Sequence, residues 1–388
     1  MKSSRIACIY VLLASFILTI VLPVSRGYAQ ETGESVLNIS SKAYILVDAD
    51  SGKTLLSLNE HEQRPPASMT KLMTLLLAVE DIESGKVSPS ELVTASEKAW
   101  GMGGSQIYLE IGEQMTLHDM LLAMALESAN DASVAVAEHL EGSVENFVAR
   151  MNRRAVELGM KDTHYVNCNG LPSEGHVSSA WDMSRLALEA VQHPKILEYT
   201  SLKEANLRDN SKLIYNTNKL LWRFDGADGL KTGWTTEAGN CLTATAQREG
   251  LRMICVVMGG EMRHSQFHDS EILLDYGFSH YGYKSFFVKN NICASLQVGK
   301  GEVNQVDLFA AEDVGISYKK DNEEDISYSI ITQPYMDAPI HKGDKLGEIS
   351  IFADGECRKK IDLCAADDVE RGGVLRQMGK MLKSVFML

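Results

Sequence analysis

Residues 64–74 read RPPASMTKLMT, and in this stretch two prolines end an extended segment just before a helical pattern starts. From Met69 onward apolar residues recur at three- and four-residue spacing until Gly85, which predicts a helix. Because three residues make nearly one helical turn, Ser68 and Lys71 should share a face at its start. Burial would keep the lysine neutral, and a neutral amine can take the proton of a serine nucleophile. The helix start also offers the backbone N–H of Ser68 as an oxyanion donor.

A second Ser-x-x-Lys pattern, at Ser317 and Lys320, serves as an internal control for the first. At average residue usage the pattern is expected about once or twice by chance in a chain of this length. The second copy lies in a strand-like region beside the acidic run 321–325, and it does not open a helix. We therefore assign it no catalytic role, and we interpret the acidic run as a solvated loop.

The tripeptide Ser128-Ala129-Asn130 interrupts a helical pattern that otherwise extends on both sides of it. A turn between two helices can direct both polar side chains into a shared cleft. There a serine can relay a proton, and an asparagine amide can donate to a substrate carbonyl while it accepts from a lysine. Serine and asparagine also favour ordinary turns and caps, so the tripeptide alone is a weak signal.

The third motif is Lys231-Thr232-Gly233, followed by Trp234, and we interpret it as an edge strand that lines a cleft. Lys231 and Thr232 can bind a carboxylate through charge and hydroxyl donation. We expect Gly233 to leave room for the approaching backbone of a ligand. The backbone N–H of Trp234 would then be the second oxyanion donor.

Together and in this order, the three motifs are a strong signal. On them the chain resembles the low-molecular-mass penicillin-binding proteins, the serine D-alanyl-D-alanine carboxypeptidases of the peptidase S11 family. The resemblance is carried by residues 64–74, by ESANDA at 127–132, by LGMKDTH at 158–164 and by DGLKTGWT at 228–235. It covers nearly the whole chain, and the length, domain order and C-terminal helix are similar to those of sporulation-type members.

The resemblance implies an α/β (α+β) fold: a β-lactamase/transpeptidase-like domain with an antiparallel sheet flanked by helices, then a small all-β domain and a C-terminal amphipathic helix. It also implies a set of site residues: the nucleophile Ser68, the base Lys71, the proton relay Ser128, the substrate-binding side chains Asn130, Lys231 and Thr232, and the oxyanion-hole N–H groups of Ser68 and Trp234. In the implied cycle the serine attacks the penultimate D-alanine of a peptidoglycan stem peptide, and water releases the acyl-enzyme. β-Lactam antibiotics would acylate the same serine, and no metal or organic cofactor is needed.

Two departures from related sequences bear on the function. The middle motif has alanine at position 129 where class A β-lactamases have aspartate, and no Glu-x-x-Leu-Asn loop is recognisable. Both features argue against β-lactamase activity. Trp234 stands where relatives often have histidine or threonine, which preserves the backbone role but leaves the effect of the side chain on substrate choice open.

Two alternative functions are open on the sequence. One is a DD-endopeptidase that cuts cross-links between stem peptides. The other is a sensor that binds stem peptides or β-lactams without turnover. Release of D-alanine would exclude the sensor, and assays with monomeric and cross-linked muropeptides would separate the two enzymes.

The chain divides into four predicted segments: a signal peptide at 1–29, a catalytic domain at 36–285, a β-rich domain at 286–368 and an amphipathic helix at 371–388. The first segment has a basic start, an apolar run and a small-x-small site, which predicts cleavage after Ala29. An uncleaved membrane anchor is the alternative, because the apolar run is nearly long enough to span a bilayer. Either way the protein is expected to be exported, to the outer face of the cytoplasmic membrane.

The C-terminal segment has apolar residues at helical spacing, with four basic residues among them and no acidic residue after Glu370. This composition predicts a helix that lies in the membrane interface and is attracted to anionic lipid. The alternative is a helix that docks on the protein itself. We favour the membrane, because the basic residues stand out in an acidic chain.

The formal net charge is −14, or −17 without segment 1–29, and nucleic acid is therefore not expected as a partner. Six cysteines follow that segment without any Cys-x-x-Cys pair, so they do not indicate a disulfide framework. Two of them, Cys241 and Cys255, lie in apolar runs and are predicted to be buried thiols. His264 and His268 have the spacing of a zinc-binding helix, but no glutamate follows the first, so we predict a surface helix face and no metal site.

Overall fold

The structure is a computed structural model that describes residues 37–322 and 324–378. The predicted signal peptide at 1–29 and positions 379–388 of the predicted C-terminal helix lie outside the described residues. The strands, in chain order, are β1 (Ala43–Asp48), β2 (Thr54–Leu58), β3 (Leu92–Thr94), β4 (Gln114–Thr116), β5 (Glu204–Leu207), β6 (Lys212–Tyr215), β7 (Ala227–Thr235), β8 (Gly239–Arg248), β9 (Leu251–Gly260), β10 (Tyr281–Phe287), β11 (Ile292–Gly299), β12 (Gln305–Ala310), β13 (Val314–Lys319), β14 (Ile326–Thr332), β15 (Tyr335–Asp337), β16 (Lys345–Ala353) and β17 (Glu356–Ala365).

The α-helices are interspersed with the first ten strands. They are α1 (Lys71–Glu83), α2 (Glu97–Trp100), α3 (Leu117–Leu122), α4 (Asn130–Glu141), α5 (Val144–Glu157), α6 (Ala180–Ala190), α7 (Pro194–Thr200), α8 (Leu220–Arg223) and α9 (Ser265–His280). A 3-10 turn at Ala67–Thr70 precedes α1, and a π-helical turn at Ala123–Glu127 follows α3. The predicted break in the second helical pattern is therefore confirmed, and it lies where the π turn ends.

The main body is built on one antiparallel sheet with the strand order β2-β1-β9-β8-β7. Alternate residues of a strand point to opposite faces of its sheet. In β9, Ile254 and Val256 pack into a core that includes α1, α4 and α6, whereas Met253 and Cys255 pack into a second core with α9. The sheet is thus covered by helices on both faces, and β7 is left at its edge, as predicted for the third motif.

The predicted burial of two thiols is confirmed, since both Cys241 and Cys255 are fully buried in this sheet. They lie on adjacent strands, β8 and β9, but belong to the two different cores. All six cysteines of the described residues have free thiols. The two buried cysteines therefore serve as small apolar side chains that fill the cores.

The C-terminal part has a six-stranded sheet with the order β14-β16-β17-β12-β11-β15 and a two-stranded sheet of β10 and β13. Val314 and Ile316 of the smaller sheet share one hydrophobic core with Ile349 and Leu363 of the larger sheet. The two sheets therefore pack on each other, as expected for a small β domain. Strand β10 follows α9 directly and pairs with β13, so the predicted start of the β-rich domain at residue 286 falls inside this strand.

The last described residues, 374–378, form a helical turn. Val374 and Leu375 are 75% and 86% exposed there, so the apolar side chains at the start of the predicted amphipathic helix do not pack on the body of the protein. None of the helices in the described ranges is long and apolar enough to cross a membrane.

Candidate active site

The candidate nucleophile Ser68 lies in the 3-10 turn that leads directly into α1. In a 3-10 turn the side chains of residues i and i+3 eclipse each other. This brings Lys71 Nζ to 3.0 Å from Ser68 Oγ. The α-helix starts only at Lys71 and not, as predicted, at Ser68, and the tighter turn before it is what aligns the two side chains.

The amine of Lys71 is completely buried and is surrounded by three oxygen atoms. Besides Ser68 Oγ, Nζ lies 2.6 Å from Asn130 Oδ1 and 2.5 Å from the carbonyl oxygen of Asn169. Burial, and then the charge of Lys231, lower the pKa of Lys71 well below its ordinary value. A neutral amine has two hydrogens, which the two carbonyl oxygens accept, and one lone pair, which is left for the proton of Ser68. The geometry therefore suits a general base.

The second motif follows the π turn, where the backbone of Ser128 adopts a left-handed conformation with φ 63° and ψ 30°. Helix α4 then starts at Asn130, whose side chain is buried beside Lys71. Asn130 Nδ2 donates to the carbonyl of Gly103 at 2.7 Å, which fixes the amide with its oxygen toward the lysine. One amide hydrogen of Asn130 is thus used by the backbone, and the other is available to a substrate.

The third motif lies on the edge strand β7, next to the turn that carries Ser68. Lys231 is almost fully buried, its Nζ donates to the carbonyl of Thr232 at 3.1 Å, and burial lowers its pKa to about 7. Thr232 Oγ1 lies 2.8 Å from the hydroxyl of Thr217. This part of the site therefore contains a lysine and a pair of hydroxyl groups, and each of them can donate to an anion.

Gly233 has a different role from the predicted one. A Cβ atom at this position would lie 2.8 Å from the carbonyl oxygen of Pro66 and 3.2 Å from the backbone nitrogen of Met69. The missing side chain thus lets the strand pack against the turn that carries Ser68, and the close neighbour is the protein's own backbone. The expectation that Gly233 makes room for a ligand is corrected accordingly.

The three motifs open into one cavity of about 790 Å3, whose wall includes Ser68, Ser128, Thr232 and Trp234. The two buried lysines of the first and third motifs lie behind this wall. The side chain of Trp234 is 65% exposed at the cavity, so the indole can contact a bound molecule. Of the residues proposed from the sequence, four line the cavity, and the other three are buried and linked to them by hydrogen bonds: Lys71 to Ser68, Asn130 to Lys71, and Lys231 to the carbonyl of Thr232.

Comparisons with known proteins identify the family. The family model described as D-alanyl-D-alanine carboxypeptidase matches residues 30–262, which is more than half of the chain. The chain belongs to this family. A second model, the C-terminal domain of penicillin-binding protein 5, matches residues 281–371. The resemblance stated from the motifs is thus confirmed.

Among the carboxypeptidase relatives, D-alanyl-D-alanine carboxypeptidase DacF of Bacillus subtilis is 39% identical over 92% of this chain and 94% of its own length. DacC of Escherichia coli is 31% identical over 89% and 88%. Penicillin-binding protein 5 from Haemophilus influenzae is a solved structure with a TM-score of 0.66 and 30% identity, over 86% of this chain and 98% of that one. Penicillin-binding protein D2 from Listeria monocytogenes, in an ampicillin-bound form, has a TM-score of 0.58 and 32% identity over 63% and 100%. The predicted fold class is confirmed.

The sequence did not reveal the loop at 166–171 as part of this carboxypeptidase site. Its contribution is a backbone carbonyl, that of Asn169, which accepts from Lys71. Asn167 Oδ1 accepts from the backbone N–H groups of Asn169 and Gly170, at 3.2 and 2.7 Å, and so holds the loop in a tight turn. The Asn-x-Asn-Gly run is a turn signal, but a turn signal does not tell which carbonyl will face a lysine.

A buried histidine connects this loop to the first motif. The backbone N–H of Val166 donates to His176 Nδ1 at 3.0 Å, so the ring hydrogen is on Nε2, which donates to Thr70 Oγ1 at 2.8 Å. Burial, with smaller contributions from the charges of His164 and Lys71, lowers the pKa of His176 to about 4. The neutral imidazole therefore holds two segments of the active site together.

We expect this histidine to make the folded protein sensitive to acid. A histidine whose pKa is lower in the folded than in the unfolded state stabilises the fold above pH 6.5, and this stability is lost as the pH falls toward 4. A shift of this size corresponds to a loss on the order of 3 kcal/mol. Urea unfolding at several pH values between 7 and 4 should show this extra loss for the natural chain and not for His176→Gln. Parallel curves for the two proteins would contradict the prediction.

The second Ser-x-x-Lys pattern does not form a comparable pair. Ser317 lies in strand β13, where its hydroxyl donates to the carboxylate of Asp48. Lys320 Nζ donates instead to the carbonyl of Phe278 at 2.7 Å. Ser317 lies in the strand and Lys320 in the turn just after it, so the spacing that aligns two side chains in a 3-10 turn gives them separate partners here.

One group of three potential metal ligands occurs within the described ranges, Glu80, Glu189 and His193. The guanidinium of Arg154 lies 2.8 Å from a carboxylate oxygen of Glu80 and 2.5 Å from one of Glu189. The two carboxylates thus already have a cation between them. His264, one of the two histidines with zinc-like spacing, instead precedes α9 and lies in the wall of the cavity.

Proposed function

We propose that this chain is a serine-type carboxypeptidase that removes the terminal D-alanine from peptidoglycan stem peptides through an acyl-enzyme on Ser68. The observation that carries the proposal is the position of Lys71, whose buried amine faces Ser68 Oγ while Asn130 and Asn169 occupy its other side. Burial favours the neutral amine, which can activate a serine hydroxyl. Membership of the carboxypeptidase family supports the reaction class.

In the proposed reaction Ser68 Oγ attacks the carbonyl carbon of the penultimate D-alanine while Lys71 takes the hydroxyl proton. The carbonyl oxygen gains negative charge, which the backbone N–H groups of Ser68 and Trp234 stabilise. The C–N bond then breaks, and Ser128, once it has moved to hydrogen-bond distance from Lys71 Nζ, passes the proton from Lys71 to the nitrogen of the departing D-alanine. Water, deprotonated by the same lysine, attacks the ester and restores the free serine.

We assign the terminal carboxylate of the substrate to Lys231 and Thr232. Because burial lowers the pKa of Lys231 to about 7, a bound carboxylate would favour the charged form, so carboxylate binding and protonation of this lysine reinforce each other. Thr217, whose hydroxyl contacts that of Thr232, offers a further donor on the same edge. The free amide hydrogen of Asn130 can donate to a carbonyl of the peptide.

We further propose that β-lactam antibiotics acylate Ser68. The Listeria monocytogenes relative was solved in its ampicillin-bound form, and the serine and lysine of the first motif here have the geometry for such an attack. The endopeptidase alternative has less support. A Pseudomonas aeruginosa relative named D-alanyl-D-alanine endopeptidase matches 58% of this chain, whereas the Bacillus subtilis carboxypeptidase matches 92%.

The domain limits and the location also stay proposals: a signal peptide at 1–29, a catalytic domain at 36–285, a β-rich domain at 286–368 and a membrane-anchor helix at 371–388. The exposed apolar residues at the start of that helix support an anchor at the outer face of the cytoplasmic membrane. Sedimentation with anionic vesicles of the full chain, but not of a chain that ends at residue 370, would support the anchor. A role in sporulation rests on the similarity to sporulation-type family members.

The function is tested by two assays on the purified chain. Intact mass after incubation with penicillin should show a single adduct, and D-alanine should be released from diacetyl-Lys-D-Ala-D-Ala. Monomeric muropeptides should be cleaved faster than cross-linked dimers. An adduct without D-alanine release would indicate a sensor, and a preference for dimers would indicate an endopeptidase.

A further inference from the structure

The border of the cavity next to β7 is unusually basic for this chain. Residues 203–223, which comprise β5, β6, a connecting loop and α8, carry five basic and two acidic residues, whereas the whole chain has a net charge of −14. Within this segment Tyr215, Asn216, Thr217 and Lys219 line the cavity. The basic segment is therefore continuous with the site that holds Ser68.

Two of the five cations have carboxylate partners, and a third, Lys212, is partly buried. Arg208 pairs with Glu113 at 2.7 Å and Arg223 pairs with Glu271 at 2.8 Å. Lys212 Nζ donates to the carbonyl of Ile107 at 2.8 Å. These contacts hold the segment in place, and they leave two lysines to be explained.

The remaining cations, Lys203 and Lys219, are both exposed and have no ion-pair partner in the described part of the chain. Their Nζ atoms lie 5.8 and 4.6 Å from the ring centre of Trp222. Lys219 Nζ also donates to the carbonyl of Asn216 at 2.9 Å, and both residues line the cavity. A cation–π contact positions an ammonium group without neutralising it, so both charges can still attract an anion.

Two aromatic side chains accompany these charges. Trp222, which both ammonium groups contact, is 45% exposed, and Tyr215, which lines the cavity together with Lys219, is 52% exposed. Burying such aromatic faces against a ligand is favourable, and their rigidity keeps the loss of side-chain entropy small. The border thus combines apolar area with two uncompensated positive charges.

We propose that Lys203, Lys219, Tyr215 and Trp222 form an accessory rim that binds a second carboxylate of the stem peptide, other than the terminal one. This inference rests on the proposed function, which already assigns the terminal carboxylate to Lys231. The terminal dipeptide supplies one carboxylate only. A stem peptide carries further carboxylates on its acidic residues, and these match two cations that have no ion-pair partner among the described residues.

The rim is tested by binding to a Ser68→Ala chain, in which no chemistry occurs. The two ligands are a pentapeptide ending in D-Ala-D-Ala that has a free carboxylate on its second residue, and the same peptide with that group amidated. For the free acid, replacing both lysines, Lys203→Gln with Lys219→Gln, should raise Kd roughly fivefold, the size expected for two exposed ion pairs. The amidated peptide should bind both chains equally, and added salt should remove the difference for the acid.

A matched control is Lys342→Gln, which removes an exposed lysine of the β-rich part and should change neither Kd. The proposed rim would be overturned if the double substitution raised the Kd of both peptides equally, or if it raised the Kd of neither. The activity of the chain that retains Ser68 is measured separately. If the chain with its natural lysines releases no D-alanine, the proposed function is contradicted. The comparison of Kd values would still show whether the rim binds the second carboxylate.

Discussion

Replacing Ser68 with alanine is expected to abolish covalent labelling by penicillin and to reduce D-alanine release by at least about 10⁴-fold, because the attacking oxygen is lost. No other hydroxyl lies within hydrogen-bond distance of Lys71 Nζ among the described residues, so the base would have no substitute nucleophile to activate. Intact mass spectrometry after incubation with penicillin measures the labelled fraction directly. Thermal unfolding of the same sample shows whether the variant is folded.

The matched control is Ser317→Ala, which removes the serine of the second Ser-x-x-Lys pattern. Its hydroxyl donates to Asp48 and makes no hydrogen bond with a lysine of the described residues, so the variant should be labelled at the rate of the natural chain. Equal losses in the two variants would mean that labelling depends on the folded state of the protein and not on one nucleophile. A residual adduct on the Ser68→Ala chain would place the nucleophile elsewhere.

The motifs could be predicted from sequence because each depends on local geometry. A turn at the start of a helix aligns Ser68 with Lys71, and a break between two helices exposes Ser128. An edge strand presents Thr232 to the cavity and carries the buried Lys231 next to it. Each arrangement follows from helix or strand periodicity over a few residues, so the sequence was sufficient to find them. Their meeting in one cavity was inferred from the family resemblance, and the structure brings them together.

The remaining parts of the site depend on contacts between segments that are distant in sequence. The carbonyl of Asn169 is a backbone atom, which carries no residue-type signal, and the pairing of Thr217 with Thr232 depends on how two segments pack. The role of Gly233 was assigned to a ligand because its true neighbour, the backbone of Pro66, is more than 160 residues away in the chain. The proposed start of the β domain at residue 286 falls inside β10, a strand defined by its pairing with β13, which lies about 30 residues further along the chain.

Gly170→Ala is expected to slow acylation of Ser68 by roughly 100-fold, although the residue contributes no side chain. Its φ is +85°, and a Cβ atom would lie 1.9 Å from the carbonyl oxygen of Ala67 and 2.9 Å from the backbone nitrogen of Ser68. The loop and the turn that carries the nucleophile would have to separate by about 1 Å or more, and a misplacement of this size costs roughly 100-fold in rate. Strain and overpacking together should lower the free energy of unfolding by about 3 kcal/mol.

Gly175→Ala separates backbone strain from this steric contact. Gly175 has a similar φ of +77°, but the nearest atom to its Cβ would be His164 Nδ1 at 3.8 Å, an ordinary contact. It should lose only about 1–2 kcal/mol from the left-handed conformation, and its folded fraction should be acylated by penicillin at the natural rate. Urea unfolding and the second-order rate of acylation measure the two effects independently. Equal acylation rates for Gly170→Ala and Gly175→Ala would contradict this prediction. They would mean that the turn that carries Ser68 does not depend on the loop at 166–171, and that Lys71 keeps its position without the carbonyl of Asn169.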